Sequence, residues 1–147
     1  MSGADVFDVA KYILELRGPM SSMKLQKLVY YSQAWSLVWD DQPIFDSKIE
    51  AWANGPVVRE LYNEHRGRFT VYAEEFAHLS KGSLTEDQQE TIRVVANSYG
   101  DRSAQWLSDQ THSEPPWQDA RKGLADNERG EHEITLSSMA DYYSSLR

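Results

Sequence analysis

The chain has 147 residues, with 23 acidic against 15 basic side chains and a formal net charge of −8. That balance opposes nucleic-acid binding, because phosphate recognition needs clustered Lys and Arg. An acidic surface steers toward a basic protein partner, or simply keeps the domain in solution. There are no cysteines, so disulfides and thiolate metal sites are excluded and a reducing compartment fits. Hydrophobic residues make up 40% and aromatics 12%, enough for a packed core rather than a disordered tail, and the length suits one domain spanning 1–147. The early charges Asp5, Asp8 and Lys11 do not form a signal-peptide pattern. No uncharged apolar run approaches the roughly 20 residues of a membrane span, so the expected location is the cytoplasm.

Val6, Phe7, Val9, Ala10, Ile13, Leu14 and Leu16 share a face at helical spacing, predicting a first helix from Asp5 to Arg17 that Gly18-Pro19 ends. Ser21 is placed to cap the next helix, with Met20 and Leu25 as a hydrophobic staple. That helix, Leu25 to Trp39, organises the chain. Leu25, Leu28, Val29, Trp35 and Trp39 fall on one side, and Tyr30, Tyr31, Ala34, Leu37 and Val38 fill much of the rest. Only Gln26 and Gln33 share a polar strip, with Lys24 and Lys27 near the N-terminal end. A helix apolar nearly all round is a buried helix. Asp40-Asp41 oppose the negative end of its dipole and mark its exit.

Pro43-Ile44-Phe45 and Lys48 to Trp52 read as two short strands turning at Asp46-Ser47. Asn54-Gly55-Pro56 then reads as a helix start, Pro56 suiting the first position, with Val57, Val58, Leu61 and Tyr62 inward. Between 65 and 83 the pattern is irregular, and Val71, Tyr72, Phe76 and Leu79 suit a loop or short irregular helix. Thr85 with Gln88 is a capping box, followed by Ile92, Val95, Ala96 and Tyr99 at helical spacing and Gly100 as a stop. Ser103 opens a short helix through Gln110. Thr111 to Trp117 is a proline-stiffened segment, 122–133 a polar surface loop, and Thr135 or Ser137 starts a last helix with Leu136, Met139, Tyr142, Tyr143 and Leu146 on or near its buried side. The predicted fold is mainly α, about six helices around a central hydrophobic helix with a small β-hairpin.

No Gly-rich phosphate loop, nucleophile elbow or paired-histidine metal motif is present, and no cofactor or metal is expected. His65, His78, His112 and His132 are scattered. His112 and Glu114 can be drawn as an acid–base pair; the favoured alternative has His112 bonded to backbone in a turn and Glu114 solvated. Glu50 beside Trp52 is either catalytic if buried or, as favoured, a partner of a backbone N–H or an Arg. His65-Arg66-Gly67-Arg68 is the only basic cluster, a solvated loop or a contact for phosphate or an acidic partner. The aromatics suit core packing better than base stacking, since most lie at helical core spacing.

Three blocks together carry a family resemblance: KLQKLVYYSQAWSLVW (Lys24 to Trp39), PIFDSKIEAWANGPVVRELY (Pro43 to Tyr62) and THSEPPW (Thr111 to Trp117). The chain resembles the Panacea domain, also called the SocA-like or GepA-like phage-associated domain. The resemblance implies a small, mostly helical protein of bacteria or phage. It implies an antitoxin that neutralises a toxin protein, encoded by an adjacent gene, by binding it. The family's namesake acts instead as an adaptor handing its toxin to the ClpXP protease, so a AAA+ protease is a second possible partner. Some members carry an additional helix-turn-helix domain, for which this chain has no room. The resemblance brings no catalytic residues. It assigns Leu25, Lys27, Leu28, Tyr30, Trp35, Glu50, Gly55, Pro56, Thr111, His112 and Trp117 to the motif as structural positions.

Hot-spot residue types and expected exposure single out Trp52, Asn54, Arg59, His65, Arg66 and Arg68 as toxin contacts, with Trp117 ranked below them on the expectation of burial. Trp52 alternates with Ala51 on its strand, so its direction depends on register. A rival reading is a small hydrolase using His112, Glu114 and Glu50, which requires the three to converge in one pocket. A nucleic-acid binder ranks last. The oligomeric state is left open.

Overall fold

The computed structural model describes residues 3–146. Its first helix, α1 (Val6–Arg17), starts at Asp5, whose carboxylate accepts from the Asp8 N–H while the Asp8 carboxylate accepts from the Asp5 N–H. The other Asp8 oxygen accepts from the Ser80 hydroxyl and from the N–H groups of Lys81 and Gly82. That carboxylate is therefore buried, and it ties the 80–82 loop to α1. Gly18 ends the helix at φ 82°, in the left-handed region that glycine tolerates.

Ser21 lies in the short strand β1 (Met20–Ser21) and caps α2 (Ser22–Trp39) through the Lys24 N–H. Helix α2 is the axis of the fold. Leu25, Leu28, Val29, Tyr31 and Ala34 have no exposed surface, because α1 and three later helices pack around them. The two leucines and the valine contribute roughly 1.5–3 kcal/mol each.

The periodicity misplaces several side chains. Trp39 is 43% exposed and stacks on Trp35 at 5.0 Å instead of entering the core. Leu16, Leu136 and Leu146 are exposed as well. The polar residues of α2 go the other way: Gln26, Lys27 and Gln33 are all buried. Gln33 accepts from the N–H groups of Ile44 (2.8 Å) and Phe45 (3.3 Å) and donates to the Phe45 carbonyl (2.8 Å). Those bonds hold 43–45 against the helix as a loop, so the expected hairpin around Asp46-Ser47 does not form.

The hairpin lies one segment later. Strand β2 (Ile49–Trp52) pairs antiparallel with β3 (Gly55–Val58), Ile49 opposite Val58 and Trp52 opposite Gly55. Asn54-Gly55-Pro56 is thus turn and strand rather than a helix start, and α3 runs from Arg59 to His65. Gln26 again explains the difference. It accepts from the Val58 N–H (2.9 Å) and donates to the Val58 carbonyl (3.2 Å), keeping the backbone extended to that point. Pro56 is tolerated because β3 is an edge strand.

Strand β4 (Thr70–Val71) pairs with β1, and a 3₁₀ turn at Ala73–Phe76 follows. Helices α4 (Glu86–Tyr99) and α5 (Ala104–His112) begin at the caps Thr85 and Ser103. The Thr111–Trp117 segment is largely helical: its first two residues end α5 and its prolines open α6 (Pro115–Ala120). Strand β5 (Glu133–Ile134) joins the other side of β2, and Thr135 caps α7 (Leu136–Ser144). Among the described residues the fold is mainly α, with seven helices and small sheets, as expected.

Candidate interaction groove

A groove of about 490 Å³ opens where three segments meet. The β2–β3 turn contributes Trp52, Ala53 and Asn54; α3 and its C-cap contribute Arg59, Tyr62, Asn63 and Arg66; the loop before β5 contributes Asn127 and Arg129 to Glu131. Of the six toxin contacts proposed from sequence, Trp52, Asn54, Arg59 and Arg66 come together here.

The charges in it are arranged in a chain. The Trp52 indole N–H donates to Glu50 at 2.8 Å, and Arg59 donates to both Glu50 oxygens at 3.1 and 2.8 Å. Arg59 also reaches Glu131 at 2.8 Å and lies 5.3 Å from the Trp52 ring centre, and the Trp52 ring meets Tyr62 edge-on at 4.8 Å. Burial raises the Glu50 pKa, but the bonds from Arg59 and Trp52 together outweigh it and hold the carboxyl below its usual range. Glu50 is thus a fixed anionic acceptor, the arginine partner that the favoured reading gave it. Arg129 lies 3.7 Å from Glu131. Arg66 is exposed and, among the described residues, its guanidinium has no partner.

Two buried side chains under the groove build its walls. Arg121 donates to the carbonyls of Ala51 (3.0 Å), Ala125 (2.9 Å), Asp126 (3.4 Å) and Glu128. Its guanidinium also lies 5.1 Å from the Trp117 ring centre. This single cation folds the polar loop back onto β2 and delivers Asn127, Arg129 and Glu131. Trp117, buried, donates its indole N–H to the Trp52 carbonyl at 2.8 Å. The loop wall was illegible in sequence, because nothing local in 122–133 predicts that its carbonyls converge on Arg121.

Lys27 lies beneath the turn. It is 1% exposed and its Nζ has no hydrogen-bond partner, and burial pulls its pKa down to about 7. Gly55 makes the space: at φ +122°, a Cβ there would sit 2.5 Å from Lys27 Cε and 3.1 Å from Thr111 Oγ1. His112 stacks on Trp117 at 4.0 Å, with a buried Nε2 that also lacks a partner. Burial, and then the nearby Lys27 charge, push His112 below its usual range. The motif residues Lys27, Gly55, Thr111, His112 and Trp117 thus support the hairpin turn, while Leu25, Leu28 and Tyr30 are core and Trp35 is half-buried.

Two proposed contacts lie elsewhere. His65 is 2% exposed, with its ring nitrogen 3.0 Å from the Gln26 amide. A side chain so buried is not a surface contact, and that assignment is corrected. Arg68 is exposed outside the groove and pairs with Glu75. Beside it Phe69, 80% exposed, went unremarked in the sequence.

The hydrolase trio does not converge. No hydrogen bond joins any two of His112, Glu114 and Glu50 among the described residues. Glu114 is buried, not solvated: its Oε1 accepts from Tyr31 and Tyr143, both at 2.8 Å, and its Oε2 accepts from Gln110 at 3.2 Å. Burial raises its pKa against the pull of those donors. Replacing Glu114 by Ala strands the buried Tyr31 phenol and leaves Tyr143 only its Tyr30 partner at 3.0 Å, at an expected cost of about 2 kcal/mol. Glu114→Gln keeps an acceptor at that position and removes the buried charge, so it should cost less than 1 kcal/mol. Urea unfolding of both variants checks the contrast; equal losses would discard the network.

A mainly α domain whose hairpin, short helix and folded-back loop frame a polar groove is the class defined so far. The family model described as antitoxin SocA-like, Panacea domain, matches residues 25–118. That is well over half of the chain, and the chain belongs to this family, as its motifs indicated. No curated protein and no solved structure matches it. The hairpin and α3 walls of the groove lie inside the matched stretch and the 127–131 wall lies beyond it. Among the described residues, no helix is long and apolar enough to cross a membrane.

Proposed function

We propose that this chain is a single-domain cytoplasmic antitoxin that neutralises a cognate toxin by binding it directly, using the groove, and that it does so without catalysis. The observation that carries the reading is the antitoxin-family match. The groove supports it by gathering two aromatics and three arginines, residue types enriched in binding hot spots. A standard interface covers about 800 Å² per partner, roughly a tenth of the 7538 Å² that the folded chain exposes. The hairpin turn, α3 and the loop form one contiguous patch for such a contact.

The test is co-expression with the product of the neighbouring gene. Growth arrest by that product alone, rescue by this chain and co-purification of the two are expected. Trp52→Ala should weaken the complex by about 2 kcal/mol, some thirtyfold, as read by titration calorimetry. Rescue without any complex, or with toxin levels falling only when an ATP-dependent protease is present, rejects direct neutralisation.

A further inference from the structure

We propose that the groove takes an extended, acidic peptide segment of the partner; the identity of that partner as a toxin rests on the reading above, while the chemistry does not. The groove presents three free carboxamides. Asn54, Asn63 and Asn127 are exposed in the groove, and their side chains make no hydrogen bond among the described residues. An Asn side chain offers both donors and an acceptor, the complement of a peptide unit. This fold already uses that match internally. Gln26 pairs with the N–H and C=O of Val58, and Gln33 does the same with Phe45, each against non-helical backbone.

The charge of the groove favours an acidic occupant. On a chain of net charge −8, this groove sets the guanidinium groups of Arg59, Arg66 and Arg129 against only the carboxylates of Glu50 and Glu131. Arg59 is held between both carboxylates and Arg129 leans on one, which leaves Arg66 uncompensated. A partner carboxylate has one obvious seat. The shape of the groove suits an extended segment. A volume of about 490 Å³ falls within the roughly 300–1,000 Å³ of small-ligand sites and holds a few residues. The Trp52 and Tyr62 rings offer one apolar contact, not the i, i+3, i+4 and i+7 row of contacts that an amphipathic helix requires.

The experiment uses the full chain and phage-displayed random octapeptides, followed by fluorescence anisotropy with one enriched peptide and its Lys-substituted counterpart. Enriched peptides are expected to carry Asp or Glu and to lack a helical repeat. Arg66→Glu should weaken the acidic peptide about tenfold or more and reverse the preference toward the Lys peptide. N63A/N127A should weaken both peptides, with thermal melts unchanged because both side chains are exposed. No enrichment, enrichment of basic or purely apolar peptides, or wild-type binding by R66E overturns the proposal. Co-purification with the neighbouring gene's product separates the two readings. A complex indifferent to R66E keeps the antitoxin and rejects the acidic-segment groove. Peptide binding without that complex keeps the groove and rejects the toxin.

Discussion

Lys27→Met is expected to stabilise the protein at pH 7, by on the order of 2–4 kcal/mol. Lys27 projects from the central helix into the interior, is 1% exposed and has no hydrogen-bond partner at Nζ. Folding must therefore either bury an unpaired charge or release a proton. Burial pulls its pKa to about 7 in the folded state, against 10.5 when exposed, in line with that cost. Between those two values the unfolded chain holds a proton that the folded chain lacks, so stability rises with pH through the window. The maximum slope is about 1.4 kcal/mol per pH unit. Below pH 7 both states are protonated and the penalty is constant. His65 and His112 titrate beneath this window, both lowered mainly by burial. Tyr30, Tyr31 and Tyr143 are held above their usual range by burial, so they reduce stability only above about pH 10. Urea midpoints at pH 7, 8 and 9 should climb for the wild type and stay nearly level for K27M. Parallel profiles, or a less stable K27M, would show that Nζ is stabilised in the fold.

Gly55→Ala should act in the opposite direction, with a loss of about 3–4 kcal/mol. Two costs combine. At φ +122° an L side chain is strained wherever there is room, about 1–3 kcal/mol. There is also no room, since the new Cβ would overlap Lys27 Cε at 2.5 Å and press on Thr111 Oγ1 at 3.1 Å. The costs separate in a double-mutant cycle with Lys27→Ala, which removes the overlapping carbon and leaves the backbone as it was. The coupling should be about 1–2 kcal/mol. Simple additivity would mean that Lys27 moves aside without cost. Because Gly55 ends the turn that carries Trp52 and Asn54, G55A should also weaken binding at the groove. Chemical denaturation of the four proteins, with a binding titration of G55A, reads both effects.

These two sites show what kind of information the sequence held. Asp5, Ser21, Thr85, Ser103 and Thr135 all cap helices; the sequence marks Ser21, Thr85 and Ser103 at helix starts and leaves Thr135 and Ser137 as alternatives for the last. A cap bonds to an N–H three residues away, so the signal and its partner share one short window. The central helix was legible because an apolar surface all round has one stable location. The three motif blocks identified the family. Four of the eleven residues lining the groove, Trp52, Asn54, Arg59 and Arg66, are also among those that residue type and expected exposure single out.

Tertiary structure decided the rest. The hairpin was assigned to the wrong pair of segments because Gln33 removes 43–45 from pairing and Gln26 holds Val58 extended, bonds that span 12 and 32 positions. Glu114 looked solvated until Tyr31 and Tyr143 supplied donors from 83 and 29 positions away. The loop wall depends on Arg121 reaching Ala51, 70 positions off. A polar residue declares by its type that it needs a partner, but whether water or a distant backbone meets that need is settled only when the chain closes. Caps and periodicity are local and were fixed early; buried polar pairs are long-range, and they set both where the groove lies and what lines it.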